Sequence, residues 1–244
     1  MTSEDLLTRS RRLWAGLAAV PTDYRASTAG ATVLVSPDSG LCPPGWVGVV
    51  VLGGTALITA PTERSAERLR RAAVELPPAA LGDPERLGRL VPLAQVLGPA
   101  NLAYLDATAF TPVEPAQESY AVAELTLDES AVQSLLARAS EADRAECGLA
   151  EVTSPVFALR DGDQVIAATG YRTWRGGAAH LSVLTDAAHR SRGLARATAS
   201  AAVAHALAAG LLPQWRARPA ASRRVAAALG FRDLGVQLSC KPAD

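Results

Sequence analysis

The stretch Arg190-Ser191-Arg192-Gly193-Leu194-Ala195-Arg196 constrains the fold more than any other part of the chain. It follows an apolar run, Ala179 to Thr185, that reads as a strand. It opens an alanine-rich run, Arg196 to Ala209, that reads as a long helix. A strand feeding a short basic turn and then a helix exposes backbone N–H groups that have no partner inside the helix, at its positive dipole end. Gly193 has no Cβ, so the backbone can approach an anion closely there, and Ala195 keeps the first turn slim. Arg190, Arg192 and Arg196 add permanent charge and forked donors. This is a device for holding phosphate.

The segments on either side have a definite order. Before the turn comes a hairpin: Val156 to Arg160, the turn Asp161-Gly162-Asp163, then Gln164 to Trp174. A second turn at Gly176-Gly177 leads into the strand before the basic loop. After the long helix come a short strand, Trp215-Arg216-Ala217, and a last helix that ends in Leu229-Gly230-Phe231.

Arg190-x-x-Gly193-x-Ala195 after Val183-Leu184-Thr185, together with Ser222-Arg223-Arg224-Val225-Ala226 and the Leu229-Gly230-Phe231 ending, resembles the GNAT superfamily, the acyl-CoA-dependent N-acyltransferases. The resemblance covers residues 118–244. It implies a mixed α/β fold with a mostly antiparallel sheet. In family order, Ser119 to Leu125 is the first strand, and Asp128 to Arg138 and Glu141 to Glu146 are the helices bordering an acceptor site. The resemblance further implies acetyl-CoA as cosubstrate, with no metal. Val183, Leu184 and Thr185 would face the pantetheine amides through their backbone. Ser191, Arg192, Gly193, Leu194, Ala195 and Arg196 would hold the pyrophosphate through backbone amides. Such charge-assisted hydrogen bonds are each worth about 1.5–3 kcal/mol. The Leu194 side chain is expected to pack inward, and Arg190 either contacts phosphate or braces the turn.

The implied reaction is direct transfer of an acetyl group to a primary amine of a small molecule or peptide. It needs a base for the acceptor, a backbone N–H for the thioester oxyanion and an acid for the thiolate. The usual family positions for these side chains are filled otherwise here. The acid tyrosine falls on Ala226, an asparagine on Pro219, and the carboxylates on Ala179 or Leu181 and on Gln214. The catalytic residues are therefore not assigned, and an acyl-CoA-binding sensor or scaffold stands as the alternative. A nucleotide-binding regulator using the same loop is a third reading. The Leu229-Gly230-Phe231 ending and the lack of a Gly-x-Gly-x-x-Gly pattern after a first strand both oppose it.

A histidine can titrate near neutral pH, which makes His180 the obvious substitute base, but alternation along the strand turns it away from the side of Ala179 and Leu181. A structural role under a helix is the stronger reading. His189 falls in the turn and His205 inside the long helix. Glu124, Glu146 and Glu151 lie near the expected acceptor side, where any one could act through water, but solvated charges or caps are the stronger reading. Tyr120, Tyr171 and Trp215 read as packing residues, with Trp215 also placed to line a cleft.

The first 112 residues form a smaller α/β domain on this reading, and a degenerate half of similar ancestry is one account of it. A helix runs from Ser3 to Leu17, after a capped start at Thr2-Ser3-Glu4-Asp5. A strand spans Ala31 to Ser36. Val47 to Leu52, Gly53-Gly54 and Thr55 to Ala60 read as a hairpin. Pro61-Thr62-Glu63 starts a helix carrying Ala66, Leu69, Ala73 and Leu76, Asp83-Pro84-Glu85 starts a short one, and Ala100 to Leu105 is a last strand. The Pro/Gly-rich loop from Ser36 to Trp46 is either a lid or a surface connection. Thr111 to Gln117, with two prolines and no period, is the linker.

Composition narrows the partners. The formal net charge is zero, with 24 basic and 24 acidic residues, so no global field favours nucleic acid or an anionic membrane. A chain without an acidic patch also suits a polycationic acceptor poorly. Three cysteines, Cys42, Cys147 and Cys240, have neither metal spacing nor a disulfide framework, which points to a reducing compartment. No basic-then-apolar leader opens the sequence and no apolar run would span a bilayer, so a cytoplasmic location is expected. The sequence leaves the oligomeric state open, a homodimer included.

Overall fold

A computed structural model describes residues 5–24, 30–115 and 120–243. The chain forms two compact units. The first is Met1–Tyr104 with Ala217–Pro219 and Asp233–Asp244, and the second is Leu105–Arg216 with Ala220–Arg232. The sequence reading divides the chain across residues 113–117. The compact units instead divide it before Leu105, and they return the C-terminal strand to the first unit.

The first unit contains α1 (Leu6–Leu17), β1 (Ala31–Val35), β2 (Val47–Leu52), β3 (Thr55–Ala60), α2 (Glu63–Glu75), α3 (Pro78–Leu81), α4 (Pro84–Gly88) and β4 (Leu93–Tyr104). Of the expected capped start, residues 2–4 lie outside the described residues, and Asp5, the residue preceding α1, makes no side-chain capping hydrogen bond. The β2–β3 hairpin has the expected bounds, with Val51 opposite Ala56 and Leu52 opposite Thr55. Every residue of both strands is buried, because the hairpin is sandwiched between helices. On one side Ala66, Leu69 and Ala72 of α2 pack with Leu81, Leu87, Val49, Val51 and Ile58. On the other, the Tyr24 hydroxyl donates to Val50 O at 2.6 Å and Arg11 to Leu52 O at 3.0 Å. Helix α2 starts within the expected Pro61-Thr62-Glu63 segment, where Thr62 Oγ1 accepts from Ser65 N as a side-chain cap.

Strand β4 is longer than its sequence suggests. The sequence pattern places its start at Ala100, just after Gly98-Pro99, and proline gives a ladder no N–H. The β4 strand nevertheless starts at Leu93, with residues 94–97 exposed and Leu102 and Tyr104 buried. β1 pairs with β3 in parallel, Val33 opposite Ile58, a pairing no local pattern predicts.

The second unit begins with a 3-10 turn, Ala107–Ala109. It continues through β5 (Ala123–Leu125), α5 (Ser130–Arg138), α6 (Glu141–Cys147), a turn at Leu149–Glu151, β6 (Val156–Asp161), β7 (Gln164–Trp174) and β8 (Ala178–Thr185). A turn at Ala187–His189 then leads to α7 (Leu194–Ala208), β9 (Leu212–Ala217) and α8 (Ala220–Ala228). The strand order is β9-β8-β7-β6-β5. β5 to β8 are antiparallel and β9 is parallel to β8, the mixed, mostly antiparallel arrangement expected. Residue 119 of the expected first strand lies outside the described residues. Those that follow pair with β6 only from Ala123 onward.

Helix α7 lies on one face of this sheet. Its alanines allow a close approach, and Ala197, Ala199, Ala202 and Ala206 are all buried. Thr169 and Thr198 share a hydrogen bond of 2.8 Å between their hydroxyls across this contact. Helix α5 packs the opposite face, where Val132, Leu135 and Leu136 meet Ala158, Ala168 and Leu184.

The Leu229-Gly230-Phe231 ending has a steric reason. Gly230 has φ +94°, and a Cβ there would lie 2.0 Å from Ala109 O. Thr111 N donates to Leu229 O, and Phe231 meets Trp215 edge-on at 5.5 Å between centroids. The glycine permits a close backbone crossing that no other residue allows.

The last strand, β10 (Arg232–Pro242), belongs mainly to the first unit. It pairs antiparallel with β2, Leu238 opposite Val49 and Cys240 opposite Val47, which completes the order β1-β3-β2-β10-β4.

Candidate functional site

β8 and β9 pair at three rungs, Ala178 with Leu212, Ala179 with Pro213 and His180 with Gln214. β8 then runs on to Thr185 and β9 to Ala217 with no further rung between them among the described residues. The two strands fork at His180 and Gln214. Leu181 to Thr185 still pair with β7 on one edge and form no rung with β9 on the other among the described residues. Val183, Leu184 and Thr185, expected to offer backbone groups to pantetheine, all lie along this second edge. The Leu184 side chain is buried toward α5, and the Thr185 hydroxyl is buried with no hydrogen-bond partner among the described residues.

The basic loop follows directly. Ser191 and Gly193 have φ of 63° and 80°, both left-handed, with Arg192 between them. Such a sequence curls the backbone so that successive N–H groups turn to one side, the form of an anion nest. The N–H groups of Ser191, Arg192, Gly193, Leu194 and Ala195 donate to no carbonyl among the described residues. The first helical bonds come from Arg196 and Ala197 to Gly193 O. No side chain caps α7. This differs from α2, whose N-terminus is closed by Thr62 and carries Glu63 in its first turn.

The loop arginines differ in their contacts. Arg190 is tied down, with its guanidinium 2.7 Å from Asp143 Oδ1 on α6 and its Nε donating to Thr185 O at 3.4 Å. Arg190 braces the turn in this structure. The Ser140 hydroxyl, and then Arg190, hold the Asp143 carboxyl below the usual carboxylate range. Arg192 donates to Ala188 O at 3.3 Å. Arg196 is exposed, with Nη2 3.5 Å from where a Gly193 Cβ would stand. Leu194 is buried and packs with Leu159, Ile166 and Ala197.

His180 lies on the α5 face, as strand alternation requires. Its Nδ1 is 3.1 Å from Gln214 Oε1. An amide oxygen can only accept, so Nδ1 carries the proton and Nε2 the lone pair. The ring stacks on Trp174 at 4.5 Å. Burial first, with the nearby Arg216 guanidinium second, pushes its pKa down to about 3. His180 is neutral at physiological pH and too weak to act as an ordinary general base there.

On the α7 face, Tyr171 OH and His205 Nδ1 are 2.8 Å apart, and His205 also meets Phe157 at 5.4 Å between centroids. Burial raises the Tyr171 pKa. His189 lies against Asp186 at 3.2 Å in the 3-10 turn. Ala179, Leu181 and Ala226 are buried and apolar, and Gln214 is buried. Trp215 donates from Nε1 to Ser222 Oγ at 2.9 Å, which fixes β9 to α8.

Glu124 and Glu146 are exposed, Glu151 pairs with Arg172 at 2.7 Å, and Tyr120 is half-buried beside Leu159 and Ile166. Pro219 is exposed. The Ser36–Trp46 loop is fastened to its own unit by the Ser39–Thr59 hydroxyl contact at 2.8 Å and by Gln237 Nε2 donating to Leu41 O.

Sequence reasoning passed over Asp143, Arg172, Trp174 and Arg216. None belongs to a motif; each is brought to the fork or the loop only by strand register or helix placement.

Among the described residues no group of three or more His, Cys, Asp or Glu could hold a metal ion, and no helix is long and apolar enough to cross a membrane.

Comparison with known proteins supports the same fold. A profile of the GNAT acetyltransferase family matches residues 156–235, from β6 into the last strand. A GNAT-family acetyltransferase from Colwellia psychrerythraea aligns over 100% of this chain and 98% of its own, at 12% identity and a TM-score of 0.51. A GCN5-related N-acetyltransferase-like protein from Streptococcus suis aligns over 97% of this chain and 98% of its own, at 14% identity and a TM-score of 0.48. A protein described as a GNAT-family acetyltransferase, from Novosphingobium aromaticivorans, shares 20% identity over 61% of this chain, with a TM-score of 0.46. The match spans 65% of that chain, just under two thirds of its length. No curated protein matches significantly. Residues 156–235, from β6 to the start of β10, thus match the GNAT acetyltransferase family, and the chain shares the fold of the Colwellia psychrerythraea protein.

Proposed function

We propose that the chain is an N-acetyltransferase that binds acetyl-CoA in the second unit and passes the acetyl group directly to a primary amine. The carrying observation is the fork after His180 and Gln214, which opens beside a loop of left-handed residues and unpaired N–H groups at the start of α7. On this reading the pyrophosphate sits on the amides of Ser191 to Arg196. The pantetheine lies in the fork against the open edge of Val183 to Thr185, with Arg192 and Arg196 beside the phosphates. The residues fit such a ligand: the loop offers donors and positive charge, and the fork offers an unpaired strand edge of suitable length.

In the reaction the ammonium first loses a proton to solvent. The free amine attacks the thioester carbon, the new C–N bond forms and the C–S bond breaks. The CoA thiolate leaves, and the second amine proton is released. A β8 backbone N–H at the fork would support the oxyanion. The acceptor is a small-molecule or peptide amine.

A second reading is favoured by one observation. Ala226, at the family's acid position, is a buried alanine on α8, and no carboxylate stands on the three paired rungs of the fork. A protein that binds acyl-CoA as a sensor without turning it over would need neither group.

A thermal-shift titration with acetyl-CoA, CoA and ATP tests the binding claim. A ligand at about 100 times its Kd adds roughly 2.7 kcal/mol to the native state. A shift with both CoA forms and not with ATP supports the loop assignment. Thiol release over an amine panel then separates enzyme from sensor.

A further inference from the structure

The two faces of the fork differ in chemistry. On the α7 face it is bounded by Ala179, Leu181, Pro213 and Trp215, all buried and apolar. On the α5 face stand His180, Gln214, Arg172, Trp174 and Arg216. Arg172 is directly opposite His180 in the β7–β8 register. Trp174 stacks on the His180 ring, and the Arg216 guanidinium carbon lies 5.9 Å from the centre of the same indole. Stacking and register thus place two cations on either side of a neutral imidazole, where the strands part.

We propose, on the basis of the acyl-CoA reading above, that this face is the acceptor subsite and that the acceptor is a zwitterionic amine. Its carboxylate, within a few bonds of the amine, pairs with Arg172 and Arg216 while the amine faces the fork.

Charge and geometry both favour this class. A purely cationic amine would have to approach two guanidiniums with no countercharge of its own. A zwitterion brings that countercharge, and arginine binds carboxylate through parallel hydrogen bonds. Arg172 already holds Glu151, but the two side chains are 52% and 67% exposed, so water screens that pair and a ligand carboxylate can exchange with it. Arg216 is exposed at the same face. The low basicity of His180 keeps a third cation out of the site and leaves Nε2 as a hydrogen-bond acceptor for the acceptor's N–H.

The test compares α- and β-amino acids with their carboxamides as acceptors, by thiol release from acetyl-CoA, with CoA binding followed separately by thermal shift. The carboxamides have the less basic amines, so intrinsic reactivity runs against the expected preference. The expected result is a kcat/KM at least tenfold higher for the carboxylates. Arg216→Gln and Arg172→Gln should each lower that ratio, mainly through KM, with the CoA-dependent shift unchanged. Equal or faster transfer to the carboxamides, or transfer to none of the zwitterions, overturns the acceptor assignment while the CoA shift keeps the cosubstrate reading. Absence of any CoA-dependent shift removes the cosubstrate reading, and this assignment falls with it.

Discussion

His180 and Gln214 occupy the last paired rung of β8 and β9, with Nδ1 and Oε1 3.1 Å apart. Past them the strands separate. The rung fixes the tautomer of the histidine and marks where the pairing of β8 with β9 ends.

The rung makes stability pH-dependent. The folded pKa of His180 is lowered from 6.5 to about 3, so the unfolded chain binds a proton that the native state refuses. Stability contributed by the neutral ring is fully present above about pH 6.5 and declines as pH falls from there toward 3. The limiting slope is about 1.4 kcal/mol per pH unit. Urea titrations at pH 7 and pH 5 should show wild type losing about 1–2 kcal/mol more than His180→Gln. Equal losses in the two proteins would contradict the depressed pKa.

Gly193→Glu should abolish CoA binding and leave the fold standing. A Cβ at Gly193 meets only Arg196 Nη2, at 3.5 Å, so there is space. The cost is the left-handed φ of 80°, about 1–2 kcal/mol for an L residue. The carboxylate would occupy the proposed phosphate position. Circular dichroism and melting would report the fold, and calorimetry with CoA the loss. Wild-type affinity in a folded variant would move the phosphate site elsewhere.

Gly230→Ala should be far more damaging. Its Cβ would stand 2.0 Å from Ala109 O, with φ at +94°. Strain and overlap together are expected to cost about 3 kcal/mol or more. A melting temperature within a degree or two of wild type would show that this backbone crossing can relax.

Asp143→Asn removes a negative charge that holds Arg190. The pair is only partly shielded, with side chains 49% and 32% exposed, so stability should change by about 1 kcal/mol or less. The freed guanidinium should strengthen CoA binding about three- to tenfold, since 1.4 kcal/mol is a factor of ten. Weaker binding would show that Arg190 serves the site best as a brace.

Local chemistry made much of this protein legible in its sequence. The β2–β3 hairpin follows from Gly53-Gly54 between two apolar runs, and α2 from the Thr62 cap. The basic loop was visible as a strand followed by arginines, a glycine and a helix, and both its left-handed Gly193 and its uncapped helix start follow from that pattern. Alternation along β8 placed His180 opposite Ala179 and Leu181. All of these depend on residues within a few positions of one another.

Tertiary structure decided what depends on distant partners. β4 begins at Leu93, ahead of Gly98-Pro99, where no local pattern marks a strand. Asp143 reaches Arg190 only because α6 is carried to the loop, and Arg172, Trp174 and Arg216 meet His180 only through the registers of β7, β8 and β9. The parallel pairing of β1 with β3 and the return of β10 to β2 join segments remote in the chain. The sequence alone determined most of the segments that become helices and strands, and the basic turn between β8 and α7, because dihedral preference and hydrophobic period are local properties. Register and packing, set by burial across the whole chain, decided which side chains face one another at the fork and therefore what chemistry that face offers.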